Sequence, residues 1–350
     1  MMLTTDLYGH DLISTQEWDI GNLDAAIELA RRLKRNRYGQ PYSTILSGKT
    51  FFMFFYNPSV RTRQSFECAA TELGGHAQFL EPRSMRLKTA KTAGEIIEDA
   101  AKVMSRYACG IGIRILEDRI SSYGEGDDLL REFARWATVP IVSMAHDKYH
   151  PCQGLADIMG WAEWLGDGVQ KPARLEVLKG KKLLMTWGHG ALARSWCSVQ
   201  EAIIIGSRFG MDIAIAHPEG YDLDPEVLKT VQQNCDKQES SFEITHSPEK
   251  GYEGSNVVYS RNWMSPNAYQ DGEFLKQAEI DRALKLKDWV CDSVKMSKTA
   301  NAIFTHPMPI DRGREVTDEV ASGLRSCIYD VAENRLHVQK AIMVLTMGNL

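Results

Sequence analysis

Residues 54 to 76 read FFYNPSVRTRQSFECAATELGGH. An apolar run, "TFFMFFY", predicts a strand, and 61 to 74 predicts a helix. Ser59, Arg61, Thr62 and Arg63 therefore fall where a strand hands over to a helix. A helix amino terminus offers unpaired backbone N–H groups and a partial positive charge, which together attract an anion. Hydroxyls at Ser59 and Thr62 add donors, and the two guanidinium groups add a forked clamp suited to phosphate. The plain alternative is that Ser59 only caps the helix while both arginines are solvated. This stretch by itself does not separate the two readings.

Beyond it, short apolar runs alternate with longer amphipathic ones. "AQFL" predicts a strand, 94 to 107 a helix, "GIGIRIL" a strand, 127 to 136 a helix and "VPIVSM" a strand. This alternation predicts a parallel sheet covered by helices. A second series follows "HPCQG": strands at "KKLLMTW", "MDIAIAH", "SFEIT", "SNVVYS" and "NAIFTH", with a helix over 195 to 209. Residues 20 to 35 carry apolar positions at helical spacing, 152 to 166 predict a helix bridging the two sheets, and "AENRLHVQKAIMVLTM" predicts a helix packing back on the first domain. The expected fold class is α/β, with two doubly wound parallel-sheet domains joined by interdomain helices. Residues 1–150, with 331–350 returning, form the first domain, and 151–330 form the second.

The 350-residue length suits two such domains. A formal net charge of −5 argues against general affinity for nucleic acid or anionic membrane, so any anion site must be local. No apolar run reaches the roughly 18 residues needed to span a bilayer. The first residues lack the basic-then-apolar order of a secretory signal. Seven scattered cysteines without a CxxC fit reduced thiols in a cytoplasmic protein.

Doubly wound sheets bind ligands at the carboxyl ends of their strands. Arg114 ends "GIGIR", His150 and Gln153 follow "VPIVSM", and His306 to Pro309 follows "NAIFT". These clusters, with Ser59 to Arg63, point to a phosphorylated substrate held in a cleft between domains. "TWGHGALAR" lacks the third glycine of a dinucleotide fingerprint. His189, His217 and His246 show no metal-ligand spacing and read as structural.

Ser59-Val60-Arg61-Thr62-Arg63 resembles the S-T-R-T-R motif of the aspartate/ornithine carbamoyltransferases, with valine replacing the first threonine. The likeness continues through "FE…LGGHA.FL", Arg114, "HPCQ…AD", "HPMP…REVTDEV" and "AENRLHVQKAIM", in the family's order. The resemblance implies transfer of the carbamoyl group from carbamoyl phosphate to the amine of an ornithine-like amino acid, with no metal or organic cofactor. It assigns Ser59, Val60 (through its backbone), Arg61 and Thr62 to the phosphate, and Arg114 to both phosphate and carbamoyl oxygens. His150 and Gln153 would address the carbamoyl group. Carbonyls at Pro307 and Met308, with Arg335, would fix its nitrogen end. The family's catalytic unit is a homotrimer, and the neighbouring subunit's loop would lie at 83 to 93, with Arg86, Lys88 and Lys91 as candidates.

The amine is less defined. "HPMP" resembles the aspartate enzymes, while "AENRLHVQKAIM" resembles the ornithine enzymes. In "VVYSRNW", Arg261-Asn262-Trp263 places a basic residue where plain ornithine enzymes carry aspartate. That feature, and the length of Trp187 to Arg208, resemble the knotted N-acylornithine branch. Arg261 therefore predicts a carboxylate or acyl oxygen on the amine substrate. A non-catalytic paralogue that binds the same ligands and a nucleotide-binding oxidoreductase are the alternative classes.

Overall fold

The computed structural model describes residues 5–39, 41–82, 94–166 and 175–348. The chain divides into two units, Met1–Leu155 with Asn334–Leu350, and Ala156–Glu333.

In the first unit, Asp19 caps α1 (Ile20–Arg35) by accepting from the Asn22 amide at 2.7 Å. The helix buries Leu23, Ile27, Ala30 and Leu33, the apolar positions at helical spacing. β1 (Thr50–Phe55) leads to α2 (Val60–Glu72), β2 (His76–Leu80), α3 (Ile97–Met104), β3 (Gly110–Ile115), α4 (Glu125–Trp136), β4 (Ile141–His146) and the start of α5 (Pro151–Leu165), whose residues from Ala156 on belong to the second unit. The sheet order is β2-β1-β3-β4, and every pairing is parallel. Phe51 stacks on Phe66 of α2 at 5.6 Å between ring centroids, fastening that helix to the central strand. β3 and β4 change register between Ile113 and Arg114, so that Arg114 pairs with Ala145 and Met144 becomes the extra residue. A bulge of this kind re-aims the side chains that follow it.

The second unit contains β5 (Lys182–Trp187), α6 (Cys197–Arg208), β6 (Asp212–Ala216), α7 (Pro225–Gln238), β7 (Phe242–Thr245) and β8 (Val257–Arg261). A short hairpin of β9 (Tyr269–Gln270) and β10 (Glu273–Phe274) follows, then α8 (Lys276–Ala283), α9 (Ser293–Met296), β11 (Ile303–Thr305) and α10 (Asp318–Ala321). Its sheet order is β11-β8-β5-β6-β7, again parallel throughout. Strands buried on both faces need near-continuous apolar sequence. "KLLMTW" and "VVYSR" meet that need, all of their residues being buried except Lys182.

α11 (Ile328–Met347) leaves the second unit at its start and completes the first. Its Lys340, 1% exposed, ion-pairs with Glu72 at 2.9 Å and donates to the Arg37 carbonyl at 2.8 Å. At the far end, the Met347 thioether packs against Gly110 of β3, in space that a Cβ there would take.

Compared with the sequence reading, α3 is shorter than 94 to 107 at both ends, and Ser105 at its carboxyl end donates its hydroxyl to the Ala101 carbonyl at 2.7 Å. α7 and the β9–β10 hairpin were not anticipated. Arg114 lies one residue inside its strand rather than at the end. Among the described residues, no helix is long and apolar enough to cross a membrane. Among the described residues, none of the seven cysteines forms a disulfide.

Candidate active site

The half-site of the first unit starts at α2. Ser59 adopts an extended backbone, and its hydroxyl accepts from the Thr62 amide at 3.3 Å, the pattern of a helix cap. Val60 is 70% exposed, so its side chain contributes no packing and its backbone N–H is the group on offer. Thr62 is buried. Arg61 and Arg63 lie about 200° apart on a helix and cannot face one anion together. Arg63 is engaged elsewhere, pairing with Glu67 at 2.9 Å and lying 4.1 Å from the Phe79 ring centroid. The two-arginine clamp is thereby corrected to a single candidate, Arg61, which is exposed.

Arg335 of α11 donates to Gln153 Oε1 at 2.8 Å and lies 3.4 Å from Thr62 Oγ1. Two candidate residues, from α2 and α5, thus share the one buried guanidinium of α11, across sequence separations of 273 and 182 residues. His150 precedes Pro151, the first residue of α5, and its carbonyl accepts from the Gln153 and Gly154 amides at 2.8 and 3.1 Å. The loop ahead of it is braced from below. His146 Nδ1 lies 2.8 Å from Ser143 Oγ, and its Nε2 lies 3.2 Å from Asp127 Oδ1. Burial pushes the Asp127 carboxyl up, but hydrogen bonds from His146 and Arg131 outweigh it and hold the group down at about 2.

Asn57, which sequence reasoning passed over, ties the loops after β1 and β3 together. Its Oδ1 accepts from the Leu116 amide at 2.7 Å, its Nδ2 bonds Asp118, and the Tyr56 amide donates to the Arg114 carbonyl at 3.0 Å. Arg114 and Ser59 are thereby held at neighbouring strand ends.

In the second unit, Arg261 closes β8 beside Trp187 of β5. It is 8% exposed, and its Nε and Nη1 are buried with no hydrogen-bond partner among the described residues. Asn262 donates from its side chain to the Gly188 carbonyl at 3.1 Å and from its backbone to Glu315 at 2.8 Å. Trp263 is wholly buried, with its indole N–H on the Tyr221 carbonyl at 2.8 Å. The turn after β11 carries a cis Met308–Pro309 bond, and Met308 sits at φ 56°. The Met308 amide donates to His306 Nδ1 at 2.8 Å, which makes Nδ1 the unprotonated nitrogen and directs Nε2–H toward Glu315, 3.2 Å away. Burial pushes His306 down to about 4, so the ring is neutral near pH 7. Arg194 donates to the Pro309 carbonyl at 2.7 Å and lies 3.4 Å from Glu315. Neither Arg194 nor Glu315 was singled out from sequence, although Glu315 lies within "REVTDEV".

His217 and His246 each direct Nδ1 to a backbone carbonyl, at 2.8 and 3.0 Å. Among the described residues, no group of three His, Cys, Asp or Glu side chains could hold a metal ion. Arg86, Lys88 and Lys91 lie outside the described residues.

Both units are parallel α/β sheets, the first completed by the last helix. Residues 10–163 match the aspartate/ornithine carbamoyltransferase carbamoyl-P binding domain, and 180–346 match the Asp/Orn binding domain of the same family. The chain belongs to the aspartate/ornithine carbamoyltransferase family. It is 35% identical to an anabolic ornithine carbamoyltransferase of Pyrococcus furiosus, covering 99% of each chain. It is 32% identical to an N-acetylornithine carbamoyltransferase of Xylella fastidiosa, over 95% of this chain and 96% of the relative. Among solved structures it is similar to an acetylornithine transcarbamylase complexed with acetylcitrulline, with TM-score 0.86 and 32% identity, over 97% of this chain and 99% of that one. An N-acetyl-L-ornithine transcarbamylase variant complexed with carbamyl phosphate and N-succinyl-L-norvaline aligns with TM-score 0.84 at the same identity, over 95% of this chain and 98% of that one.

Proposed function

We propose that the protein transfers the carbamoyl group of carbamoyl phosphate to the amine of an ornithine-like amino acid bearing a carboxylate or acyl oxygen that faces Arg261. The amine nitrogen attacks the carbamoyl carbon, the carbon–oxygen bond to phosphate breaks, and the nitrogen loses a proton to leave a ureido product and phosphate. Negative charge builds on the carbonyl oxygen during attack, and preorganised donors there lower the barrier. Ser59, the Val60 amide, Arg61 and Thr62 hold the phosphate, while Arg114 serves both phosphate and carbamoyl oxygens. His150 and Gln153 address the carbamoyl group, and the Pro307 and Met308 carbonyls accept from its nitrogen.

The observation that carries this reading is Arg335, which joins Thr62 to Gln153. A buried guanidinium shared between two motif residues fixes them at one spacing, as transfer chemistry requires. The amine class rests on Arg261, since a buried charge is costly until something pairs with it. The trimer, the loop carrying Arg86 and Lys88, and a cytoplasmic compartment carry over from the family resemblance and the absence of disulfides among the described residues.

The test is phosphate release and ureido formation from carbamoyl phosphate, screened across ornithine, N-acetyl- and N-succinylornithine, aspartate and diamines. Turnover with none of them rejects the reading. Arg261→Asp should lower kcat/KM for an acidic or acylated amine relative to ornithine, by the order of 2–5 kcal/mol expected for losing one partner of a buried charged hydrogen bond. An unmoved ratio would remove Arg261 from the amine site.

A further inference from the structure

Glu315 is fully buried, and the proposed reaction gives it no task. Its oxygens are nonetheless occupied from three directions. Oε1 accepts from the Asn262 amide at 2.8 Å and lies 3.4 Å from Arg194 Nη1. Oε2 accepts from the Asp311 amide at 2.8 Å and lies 3.2 Å from His306 Nε2. Its backbone carbonyl accepts from Ser260 Oγ at 3.0 Å. One carboxylate therefore joins the end of β8, the segment after β5 and the turn after β11. A side chain on Gly188 would lie 3.2 Å from both the Arg261 backbone and Glu315 Cγ, so glycine there lets the two come together.

Resting on the transferase reading above, we propose that Glu315 is a positioning and specificity residue. It holds the His306–Asp311 turn and the Arg261–Asn262 strand end in one frame, and as the buried anion bonded to the amide next to Arg261 it limits how strongly that guanidinium attracts a negative amine substrate. Burial pushes this carboxyl up, but His306 and Arg194 outweigh it and keep Glu315 ionised. An amide could not replace it silently. Gln presents an NH2 where Glu accepts, so it would face either the Asn262 or the Asp311 amide donor to donor. The charge argument follows from Coulomb's law in a buried site, where a neighbouring charge is poorly screened.

The charge part makes opposite-signed predictions in two variants. Glu315→Gln removes the anion, so preference for an acidic or acylated amine over ornithine should rise about tenfold, while kcat for both falls as the turn loosens. Arg194→Gln leaves Glu315 less neutralised, so the same preference should fall. Glu315→Asp keeps the charge one methylene shorter and should lower kcat with little change in preference. A preference ratio does not depend on the fraction of protein folded, so a merely structural role would lower both amines equally. The ratio is measured as kcat/KM and, by titration calorimetry with N-succinylornithine and ornithine, as Kd. Ratios unmoved in both Glu315→Gln and Arg194→Gln, or moved in the same direction, overturn the proposal. If Glu315→Gln does not fold, the sign in Arg194→Gln decides. A wild type that transfers no carbamoyl group, yet shows the opposed shifts in Kd, overturns the transferase reading and leaves the role of Glu315 standing.

Discussion

The two units treat their guanidinium groups differently. In the first, Arg335 is committed before any ligand arrives, with one nitrogen on Gln153 and another near Thr62. In the second, Arg261 keeps two buried nitrogens without hydrogen bonds among the described residues, while the nearby Glu315 carboxylate accepts from the Asn262 and Asp311 amides. Preorganisation lowers the cost of ordering groups on binding. A buried guanidinium with two nitrogens still to be hydrogen-bonded instead makes binding depend on what the ligand brings. On the proposed function, the first unit would suit one invariant substrate and the second would discriminate among amines.

The contrast is broken most severely at Arg61. Arg61→Ala should reduce kcat by about 10²–10³, or ~3–4 kcal/mol, as for loss of one preorganised donor, with the unfolding transition unchanged. Near-normal turnover in a steady-state assay would mean that the first unit's wiring does not serve the phosphate. A smaller effect tests the brace under His150. The Asp127 carboxyl titrates at about 2 in the folded chain against 3.8 unperturbed. A depressed carboxyl stabilises the fold above the unfolded value, and that contribution is lost as pH falls from about 4 to about 2. Asp127→Asn should therefore cost about 2 kcal/mol at pH 7 by denaturant unfolding, with the gap to wild type closing below pH 3. The smallest effect belongs to the cap. Ser59→Ala should cost about 1 kcal/mol of stability. A much larger loss of activity than of stability would show that the hydroxyl also serves the ligand.

Legibility followed the same division. The strand-to-helix handover at 54–76 was readable because Ser59, its capped amide and the apolar strand lie within a few residues of one another. Nothing local links Thr62 to Arg335, and only the order of family motifs put both in one site. Glu315 was invisible for the same reason: its partners Arg194, Asn262 and Asp311 come from three segments. Two other misses had local signals. Asp224 and Pro225 form a cap and first-turn proline ahead of α7. Asp271-Gly272, both at positive φ, is the turn pair expected of a two-residue hairpin between β9 and β10. Strands of two residues are too short for alternation to show, so the turn was the signal to use. Arg63 was misread because neighbours in sequence were treated as neighbours on a helix.

The return of α11 to the first unit also has a consequence during synthesis. Residues 334 to 348 leave the ribosome only after the whole of the second unit, so Gln153 and Thr62 have no Arg335, and Glu72 has no Lys340, until translation reaches them. Domains generally fold in order of synthesis, amino-terminal first. Here that order is reversed at the last step: the unit begun first is finished last, and its buried acceptors await a helix encoded some 180 codons downstream.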